Sequence, residues 1–343
     1  MMGMTTRLLV TGGAGFIGSS LLRALLAAPQ NYQVTNLDLL TYAGNPQNLT
    51  EIENHPRYRF VQGDIADAAL VDRLMAEADA CVNVAAQTHV DRSIDGPGVF
   101  FTTNVLGAQV LLEAARKHGI QKFVQISTDE VYGSLGFEDP AFSEQSPVQP
   151  SSPYSASKAA ADLVAISYYR TYGLPVCLTR CSNNYGPRQY PEKLIPLFIL
   201  NAIEDKPVPV YGDGLNVRDW IHVDDHSAAV LRVLQDGRPG EVYNVGSDNE
   251  WNNLQITRML LQILDKPDTL ITYVTDRPGH DRRYAIDSTK LQRELGWQPT
   301  HTRCDFQDML AETVRWYQEN PDWVAQVRQR LAAHEQEPQW LKV

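Results

Sequence analysis

The sequence has few cysteines, no excess of basic residues and no long apolar run. Only 4 of its 343 residues are cysteines, and none shows CxxC or CxxH spacing. Neither a disulfide framework nor a metal site is therefore predicted, and a reducing cytoplasm is the expected location. We expect the cysteines to act as small buried apolar side chains.

Membrane insertion and nucleic-acid binding are not expected either. No apolar run approaches the ~20 residues that span a bilayer, and the start of the chain, MMGMTTRLLVTGG, lacks the pattern of a signal peptide. The 30 basic residues are outnumbered by 41 acidic ones, which gives a net charge of −11. This argues against a protein with a basic face for nucleic acid or anionic lipid. A phosphorylated ligand is still compatible, because a few local Arg and Lys residues suffice to bind it.

Short apolar runs alternate with helical patterns through the first half of the chain. Apolar runs predict strands at 7–11, 33–37, 58–62, 80–84, 122–126 and 176–179. Amphipathic stretches between them predict helices at 15–28, 68–76, 101–118 and 155–172. Most of the runs are apolar on both sides, as in a parallel sheet that helices cover on both faces. The pattern predicts an α/β fold with a doubly wound, Rossmann-type parallel sheet.

This rhythm ends after Cys181, where prolines and glycines mark loops and short elements. We predict a smaller, discontinuous C-terminal substrate lobe built from about 182–218 and 248–320. The Rossmann domain then comprises 1–181 and about 219–247. The sequence predicts no role for the tail, 321–343, and at most a polar helix for its last twenty residues.

A glycine-rich turn follows the first predicted strand directly. Gly12 permits a tight turn, Gly15 lets the backbone approach a pyrophosphate, and Gly18 allows close packing of helix on strand. Asp38 ends the second predicted strand, where a carboxylate binds ribose hydroxyls and repels a 2′-phosphate. The turn therefore predicts binding of NAD rather than NADP, with a simple turn cap as the alternative role for Asp38. Asp64 follows the third strand and is either an adenine contact or a plain turn residue.

Tyr154 and Lys158 form a YxxxK pair, so their side chains share one face of a predicted helix. A nearby ammonium and the positive nicotinamide of an oxidised cofactor lower the pKa of a tyrosine, which would make Tyr154 a base for an alcohol proton. Thr128 lies just past the C-terminal end of the strand predicted at 122–126 and would point into the same cleft. YxxxK pairs are common on surface helices, and it is the combination with Thr128 that favours catalysis.

Two adjacent carboxyl groups follow, Asp129 and Glu130. A dehydrogenase or an epimerase needs only the tyrosine and the hydroxyl. An adjacent acid and base suit elimination of water, because one carboxylate removes a carbon-bound proton and the other protonates the departing hydroxyl. The alternative is a solvated turn that happens to carry two acids.

Nine motifs together resemble the extended short-chain dehydrogenase/reductases and, more narrowly, their dTDP-glucose 4,6-dehydratases. The motifs run from about residue 7 to residue 318 and are TGGAGFIG, LDLLTYAGN, AAQTHVDRS, STDEVYG, SPYSASK, SNNYGP, PEKLIP, YGDGLNVRDWIHVDD and RPGHDRRY. The fold motifs are shared with many nucleotide-sugar epimerases. STDEVYG, PEKLIP and RPGHDRRY are more restrictive.

The resemblance implies a redox-neutral cycle on tightly bound NAD. Tyr154 would take the proton of the sugar's 4-hydroxyl as hydride moves to NAD, with Thr128 on the 4-oxygen and Lys158 on the ribose. Glu130 would remove the proton at carbon 5, and Asp129 would protonate the 6-hydroxyl so that water leaves. Hydride then returns to carbon 6, which gives a 4-keto-6-deoxy sugar.

The resemblance also implies two sets of contact residues. Cofactor contacts fall on Gly12, Gly15, Phe16, Ile17, Gly18, Asp38, Leu39, Leu40, Thr41, Asp64, Ile65, Val84, Ala85, Ala86, Gln87, Thr88, Thr103, Tyr154, Lys158 and Asn184. Substrate contacts fall on Thr88, Thr128, Asn183, Lys193, Leu194, Pro209, Val210, Tyr211, Arg218, Asn253, Arg277, Pro278, Gly279 and His280. Lys193, Arg218 and Arg277 would supply the cations that a nucleoside diphosphate requires. A homodimer through the helices at 101–118 and 155–172 is implied as well.

Three other functions remain open at this point. They are a UDP-sugar 4-epimerase or decarboxylase, a UDP-glucose 4,6-dehydratase, and a non-catalytic NAD-sensing protein. The family's usual AAESHVDRS has Gln87 and Thr88 at its third and fourth positions here, which weakens the inference to one particular sugar nucleotide. Asp129 and Glu130 discriminate against the epimerase, because an epimerase has no leaving hydroxyl to protonate.

Overall fold

A seven-stranded parallel sheet forms the centre of the computed structural model, which describes residues 5–334. The strands are β1 Thr6–Thr11, β2 Tyr32–Asp38, β3 Tyr58–Gln62, β4 Ala80–Asn83, β5 Lys122–Thr128, β6 Val176–Cys181 and β10 Val242–Val245. Their order across the sheet is β10-β6-β5-β4-β1-β2-β3. The predicted doubly wound, Rossmann-type sheet is confirmed. β5 runs two residues further than predicted, which puts Thr128 at its carboxyl end.

Helices cover both faces of this sheet. One apolar core lies under Phe16–Ala27, Val223–Asp236 and Thr289–Leu295, and the other lies under Ala68–Ala76, Gly98–His118 and Pro153–Tyr172. Along β1, Leu8 and Val10 belong to the first core and Leu9 to the second, because successive side chains of a strand point to opposite faces. Both faces are therefore buried, as the uninterrupted apolar runs predict.

The helix Gly98–His118 is irregular in its first half. Phe101–Gly107 is π-helical and Ala108–His118 is α-helical. By length and composition this helix could cross a membrane, contrary to the expectation from the sequence. The sequence did not indicate a span because scattered Thr, Asn and Gln residues interrupt the apolar run. The observation is weak support for a membrane span, since 44% of its most apolar window is buried and core helices meet the same criterion.

The smaller lobe is built around two short sheets and three helices. The first sheet has the order β11-β9-β7, with β7 Asn183–Tyr185, β9 Val217–His222 and β11 Glu250–Asn252, and the second pairs β8 Val208–Tyr211 with β12 Ile271–Val274. The helices are Leu194–Ile203, Asn253–Ile263 and Phe306–Glu319. The domain boundaries stay a prediction. Thr289–Leu295 and Trp297 fall within the range predicted for this lobe, but they pack into a core of the large sheet.

A further helix, Pro321–His334, ends the described part of the chain and is called the C-terminal helix below. Trp323 and Val327 are buried in the core of the smaller lobe, so this part of the tail is more than the polar helix expected. Residues 335–343 lie outside the described residues.

The four cysteines are all unpaired. Cys81, Cys177 and Cys181 are buried, as predicted, but Cys304 is exposed, so that prediction is wrong for Cys304. Cys304 precedes the helix Phe306–Glu319 in a turn at the surface.

Candidate active site

Most of the residues predicted for catalysis, cofactor and substrate line one cleft at the carboxyl ends of the main-sheet strands. The cleft has a cavity volume of about 440 Å³, within the range of small-molecule sites. Its lining includes every residue of the predicted sets except Leu40, Pro278 and Gly279. This is the edge at which open α/β sheets bind their ligands.

The glycine-rich loop, residues 12–18, forms a cradle at one end of this cleft. Gly12 has a φ of 71°, and a Cβ there would lie 2.6 Å from the backbone of Ala85. A Cβ on Gly18 would lie 2.7 Å from Gly13 Cα, so helix and loop could not pack closely. At Gly15 a Cβ would meet only the carbonyl oxygen of Gly12, at 3.4 Å, which leaves open space in front of the helix that begins at Phe16. The loop fits the pyrophosphate of a dinucleotide.

Asp38 is connected directly to this loop. Its Oδ2 accepts a hydrogen bond from the backbone N–H of Ala14 and its Oδ1 one from that of Leu40, both at 2.8 Å. Burial raises the pKa of Asp38, and the two N–H donors oppose that rise. Leu40 contributes its backbone amide, while its side chain packs against the first apolar core and does not line the cleft. Asp38 is thus both a turn cap and a carboxylate on the cleft wall.

Tyr154 and Lys158 lie on the helix Pro153–Tyr172, which a capping box of Ser152 and Ser155 begins. Both side chains are buried, and the ammonium of Lys158 donates to the carbonyl oxygen of Ile126 at 2.6 Å. Burial and the carboxyl of Glu130 raise the pKa of Tyr154 well above its usual range. The expected lowering by Lys158 is therefore not produced by the chain alone, and a base at this position needs further positive charge.

Thr128, Asp129 and Glu130 form a compact unit at the end of β5. The Thr128 hydroxyl accepts from the backbone N–H of Glu130 at 3.2 Å and donates to Oδ1 of Asp129 at 3.3 Å. Asp129 is only 1% exposed, so the alternative of a solvated turn is wrong for it. Its other oxygen, Oδ2, is buried without a hydrogen-bond partner among the residues described.

The surroundings of the two carboxyl groups differ. Burial raises the pKa of Asp129 well above its usual range, and the neighbouring carboxyls of Glu130 and Asp219 add to this. Burial also raises the pKa of Glu130, but the cations of Arg277, Lys193 and Arg218 oppose it. Paired acids whose environments separate their pKa values are suited to distinct acid and base roles. Here Asp129 is suited to donate a proton and Glu130 to accept one.

Three cations line the substrate side of the cleft, each held by the fold. Lys193 Nζ donates to the carbonyl oxygen of Thr88 at 2.8 Å. Arg218 Nη2 donates to the carbonyl oxygen of Asp281 at 2.9 Å, and its guanidinium lies 4.2 Å from the centre of the Tyr284 ring. Such a group of cations can bind a diphosphate in a protein that is acidic overall.

The third cation, Arg277, depends on a residue that the sequence analysis missed. Asp91 pairs with Arg277 Nη1 at 3.0 Å and accepts from the Tyr211 hydroxyl at 3.0 Å. It joins two predicted substrate contacts that are far apart in sequence. Asp91 is the acidic residue of the AAQTHVDRS motif, and this motif was the sequence feature that could have indicated it. The motif does not show which residue Asp91 pairs with.

Asn104 is a second missed residue. Its side chain exchanges hydrogen bonds with the backbone of Gln87, at 2.8 and 3.0 Å, and donates to the Ser157 hydroxyl at 2.8 Å. It belongs to the π-helical segment Phe101–Gly107, and π-helical turns recur at functional sites. The contacts fix the Gln87 segment against the helix that carries Tyr154.

The chain is similar to known proteins over most of its length. The chain matches the family model described as GDP-mannose 4,6 dehydratase over residues 9–313. A dTDP-glucose 4,6-dehydratase of Streptomyces griseus is 53% identical over 322 residues, which are 93% of this chain and 96% of that protein. The dTDP-glucose 4,6-dehydratase of Escherichia coli is 48% identical and covers 92% of this chain and 95% of its own.

Solved structures show the same relationship. A dTDP-glucose 4,6-dehydratase of Streptomyces venezuelae, crystallised with NAD, has 52% identity and a TM-score of 0.89 over 92% of this chain and 98% of its own. The UDP-glucose 4-epimerase of Thermotoga maritima has 30% identity and a TM-score of 0.84 over 92% and 99%, so the fold alone does not separate the two activities. By sequence and structure together, the chain belongs to the GDP-mannose 4,6 dehydratase family and, within it, to the dTDP-glucose 4,6-dehydratases.

Proposed function

We propose that this protein catalyses the NAD-dependent dehydration of dTDP-glucose to the 4-keto-6-deoxy sugar nucleotide. The observation that carries the proposal is the pair Asp129 and Glu130, which lies in the cleft beside Thr128 and Tyr154. An epimerase requires no such pair. The relatives with about half of their residues in common bear the name of this activity.

The residues of the cleft fit NAD as the resident cofactor. The glycine-rich loop and the start of the helix Phe16–Ala27 would hold the pyrophosphate, and Asp38 would hold the adenosine ribose. The buried Asp38 carboxylate would also reject a 2′-phosphate. When bound, NAD would supply the hydride acceptor for carbon 4 of the sugar and the hydride donor for carbon 6.

The chain's own groups move the protons. Tyr154 removes the proton of the 4-hydroxyl, and the positive charge of the oxidised cofactor offsets the burial that raises its pKa. Thr128 hydrogen-bonds the 4-oxygen, while Lys158 orients the ribose. Glu130 takes the proton at carbon 5, which the 4-ketone makes acidic. Asp129, whose pKa burial raises, protonates the 6-hydroxyl so that it leaves as water.

The substrate's diphosphate would bind among Lys193, Arg218 and Arg277 at the smaller lobe. Asp91 orients Arg277 and Tyr211 for that contact. Pro278 and Gly279 do not line the cleft in this structure. Their predicted role in substrate binding would therefore be indirect, through the backbone conformation that they give the segment between Arg277 and His280.

The decisive experiment incubates the purified protein with dTDP-glucose and, in parallel, with UDP-glucose, without added NAD. We expect the 4-keto-6-deoxy product from dTDP-glucose, with no net reduced nicotinamide, because the hydride leaves and returns within one turnover. Product formation is followed by mass spectrometry and the reduced cofactor by its absorbance. Stoichiometric release of NADH would instead indicate a simple dehydrogenase, and 4-epimerised UDP-sugar an epimerase.

A second copy of this chain is the expected protein partner. The adjacent helices Gly98–His118 and Pro153–Tyr172 leave apolar side chains on the surface, with Leu106 57% and Leu163 64% exposed. Exposed apolar surface of this kind is typical of an interaction site. A homodimer that pairs these helices would bury it.

Charged residues introduced on these two helices test the proposed dimer. Leu106→Glu with Leu163→Glu should convert a dimer to a monomer in sedimentation velocity, because two buried carboxylates per protomer would be desolvated. Leu215→Glu is the matched control, since Leu215 is also exposed, at 42%, but lies in the smaller lobe. A monomeric wild-type protein, or a double variant that stays dimeric, would contradict the proposed interface.

We also place the protein in the cytoplasm. Its cysteines are unpaired and three of them are buried, which suits a reducing compartment. Its cofactor, NAD, is available there.

A further inference from the structure

The C-terminal helix reaches from the smaller lobe to the loop that follows β2. Arg328 pairs with Glu204 and donates to the carbonyl oxygen of Leu200 at 2.9 Å, which attaches the helix to Leu194–Ile203. Two residues later, Arg330 donates to the carbonyl oxygen of Gly44 at 2.6 Å. Residues 39–49, called the cofactor loop below, follow Asp38 directly, and several of them line the cleft.

A line of buried hydrogen bonds runs from this helix to the groups that would hold NAD. The indole N–H of Trp323 donates to Asn48 Oδ1 at 2.8 Å. Asn48 Nδ2 in turn donates to the carbonyl oxygen of Ala14 at 2.9 Å. Ala14 lies in the glycine-rich loop, and its own N–H donates to Asp38. Both polar ends of the Asn48 amide are thereby used, one toward the helix and one toward the cofactor site.

The cofactor loop also packs on the smaller lobe by its apolar side chains. Tyr42 and Ala43 contact the core of that lobe. The Tyr42 hydroxyl donates to Glu192 at 2.9 Å, and its ring meets that of Tyr190 edge-on at 5.6 Å. The loop is therefore held by the smaller lobe and the C-terminal helix, although its chain emerges from the Rossmann sheet.

We propose that the C-terminal helix retains the dinucleotide, with Trp323 and Asn48 as positioning residues that keep the glycine-rich loop and Asp38 in their binding arrangement. The inference rests on the proposed function, in which NAD occupies this site. A redox-neutral cycle gains from slow release of NAD, because loss of the reduced cofactor between the two hydride transfers would strand the sugar. Trp323 and Asn48 do not line the cleft, so they act on cofactor retention and not on the chemical steps.

The test is Trp323→Phe, which keeps an aromatic ring in the cluster but removes the indole N–H. Asn48 Oδ1 then lacks its buried donor, so the arrangement of the cofactor loop seen here is less populated. We expect NAD to dissociate about 5–50-fold faster, measured by stopped flow with an excess of a dinucleotide trap. The turnover number at saturating NAD should change less than about twofold, which separates cofactor retention from chemistry.

Trp316→Phe is the matched control. Trp316 belongs to the same aromatic cluster and lies 5.0 Å from Trp323, ring centre to ring centre, but it makes no contact with Asn48 in the described hydrogen bonds. Its NAD dissociation rate should stay within about twofold of wild type. Asn48→Leu should raise the rate like Trp323→Phe, and the double variant should add little more, because both changes break the same connection.

The outcomes separate this inference from the proposed function. If wild-type protein retains NAD and Trp323→Phe retains it equally well, while its melting temperature falls, the helix is only structural and the inference is overturned alone. If wild-type protein neither copurifies with NAD nor binds it, the proposed function fails and the inference with it. Faster release from Trp316→Phe as well would also overturn it, because the effect would then belong to the aromatic cluster as a whole.

Discussion

Replacing Glu130 with Gln, or Asp129 with Asn, is expected to stop dehydration and to leave oxidation at carbon 4 partly intact. Each change keeps the shape of the side chain and removes one proton-transfer group of the elimination. Turnover should fall about 10²–10⁴-fold in each variant. Because Tyr154 and Thr128 are untouched, enzyme-bound reduced nicotinamide should accumulate in a single turnover, which stopped-flow absorbance would detect.

Two further measurements, the rate of the double variant and the pH dependence, test this assignment. The double variant should be less impaired than the product of the single effects, since both groups act in one elimination step. Burial raises the pKa of Asp129, so its acid function should be lost as the pH rises through that value, and Asp129→Asn should lack this alkaline loss. If both single variants form product at near wild-type rate, elimination does not use this pair and the epimerase function becomes the better explanation.

Tyr154→Phe is expected to lower turnover by at least about 10²–10⁴-fold, because it removes the base for the 4-hydroxyl proton. The base must be deprotonated to act, and burial raises its pKa. Wild-type activity should therefore fall as the pH is lowered, and the residual activity of the variant should lack this dependence. Steady-state rates at several pH values check both points.

The bound NAD content of Tyr154→Phe should equal that of wild type, which shows that the cofactor site is intact. Tyr168→Phe is a suitable control, since Tyr168 lies on the same helix with its hydroxyl bonded to Gln109 and Glu113, away from the cleft. A loss of less than about tenfold in Tyr154→Phe would mean that another group removes the proton.

The local features of this protein were determined by its sequence. The spacing of Gly12, Gly15 and Gly18 predicts a cradle that the structure shows, because backbone conformation and close approach depend on residues next to one another. The apolar runs predict the parallel sheet because strands that are buried on both faces are apolar at nearly every position. Tyr154 and Lys158 share a helix face by their spacing alone.

Only the tertiary structure decided the contacts between distant segments and the burial that results from them. Asp91 and Arg277 are 186 positions apart, and Trp323 and Asn48 are 275 apart, so no local pattern relates them. The packing of Thr289–Leu295 on the large sheet is of the same kind. The pKa of Tyr154 is raised and not lowered because desolvation depends on everything packed around a group. The sequence therefore determined which chemical groups are present and on which elements they lie, while their partners, their protonation and the attachment of the C-terminal helix to the cofactor loop depend on long-range packing.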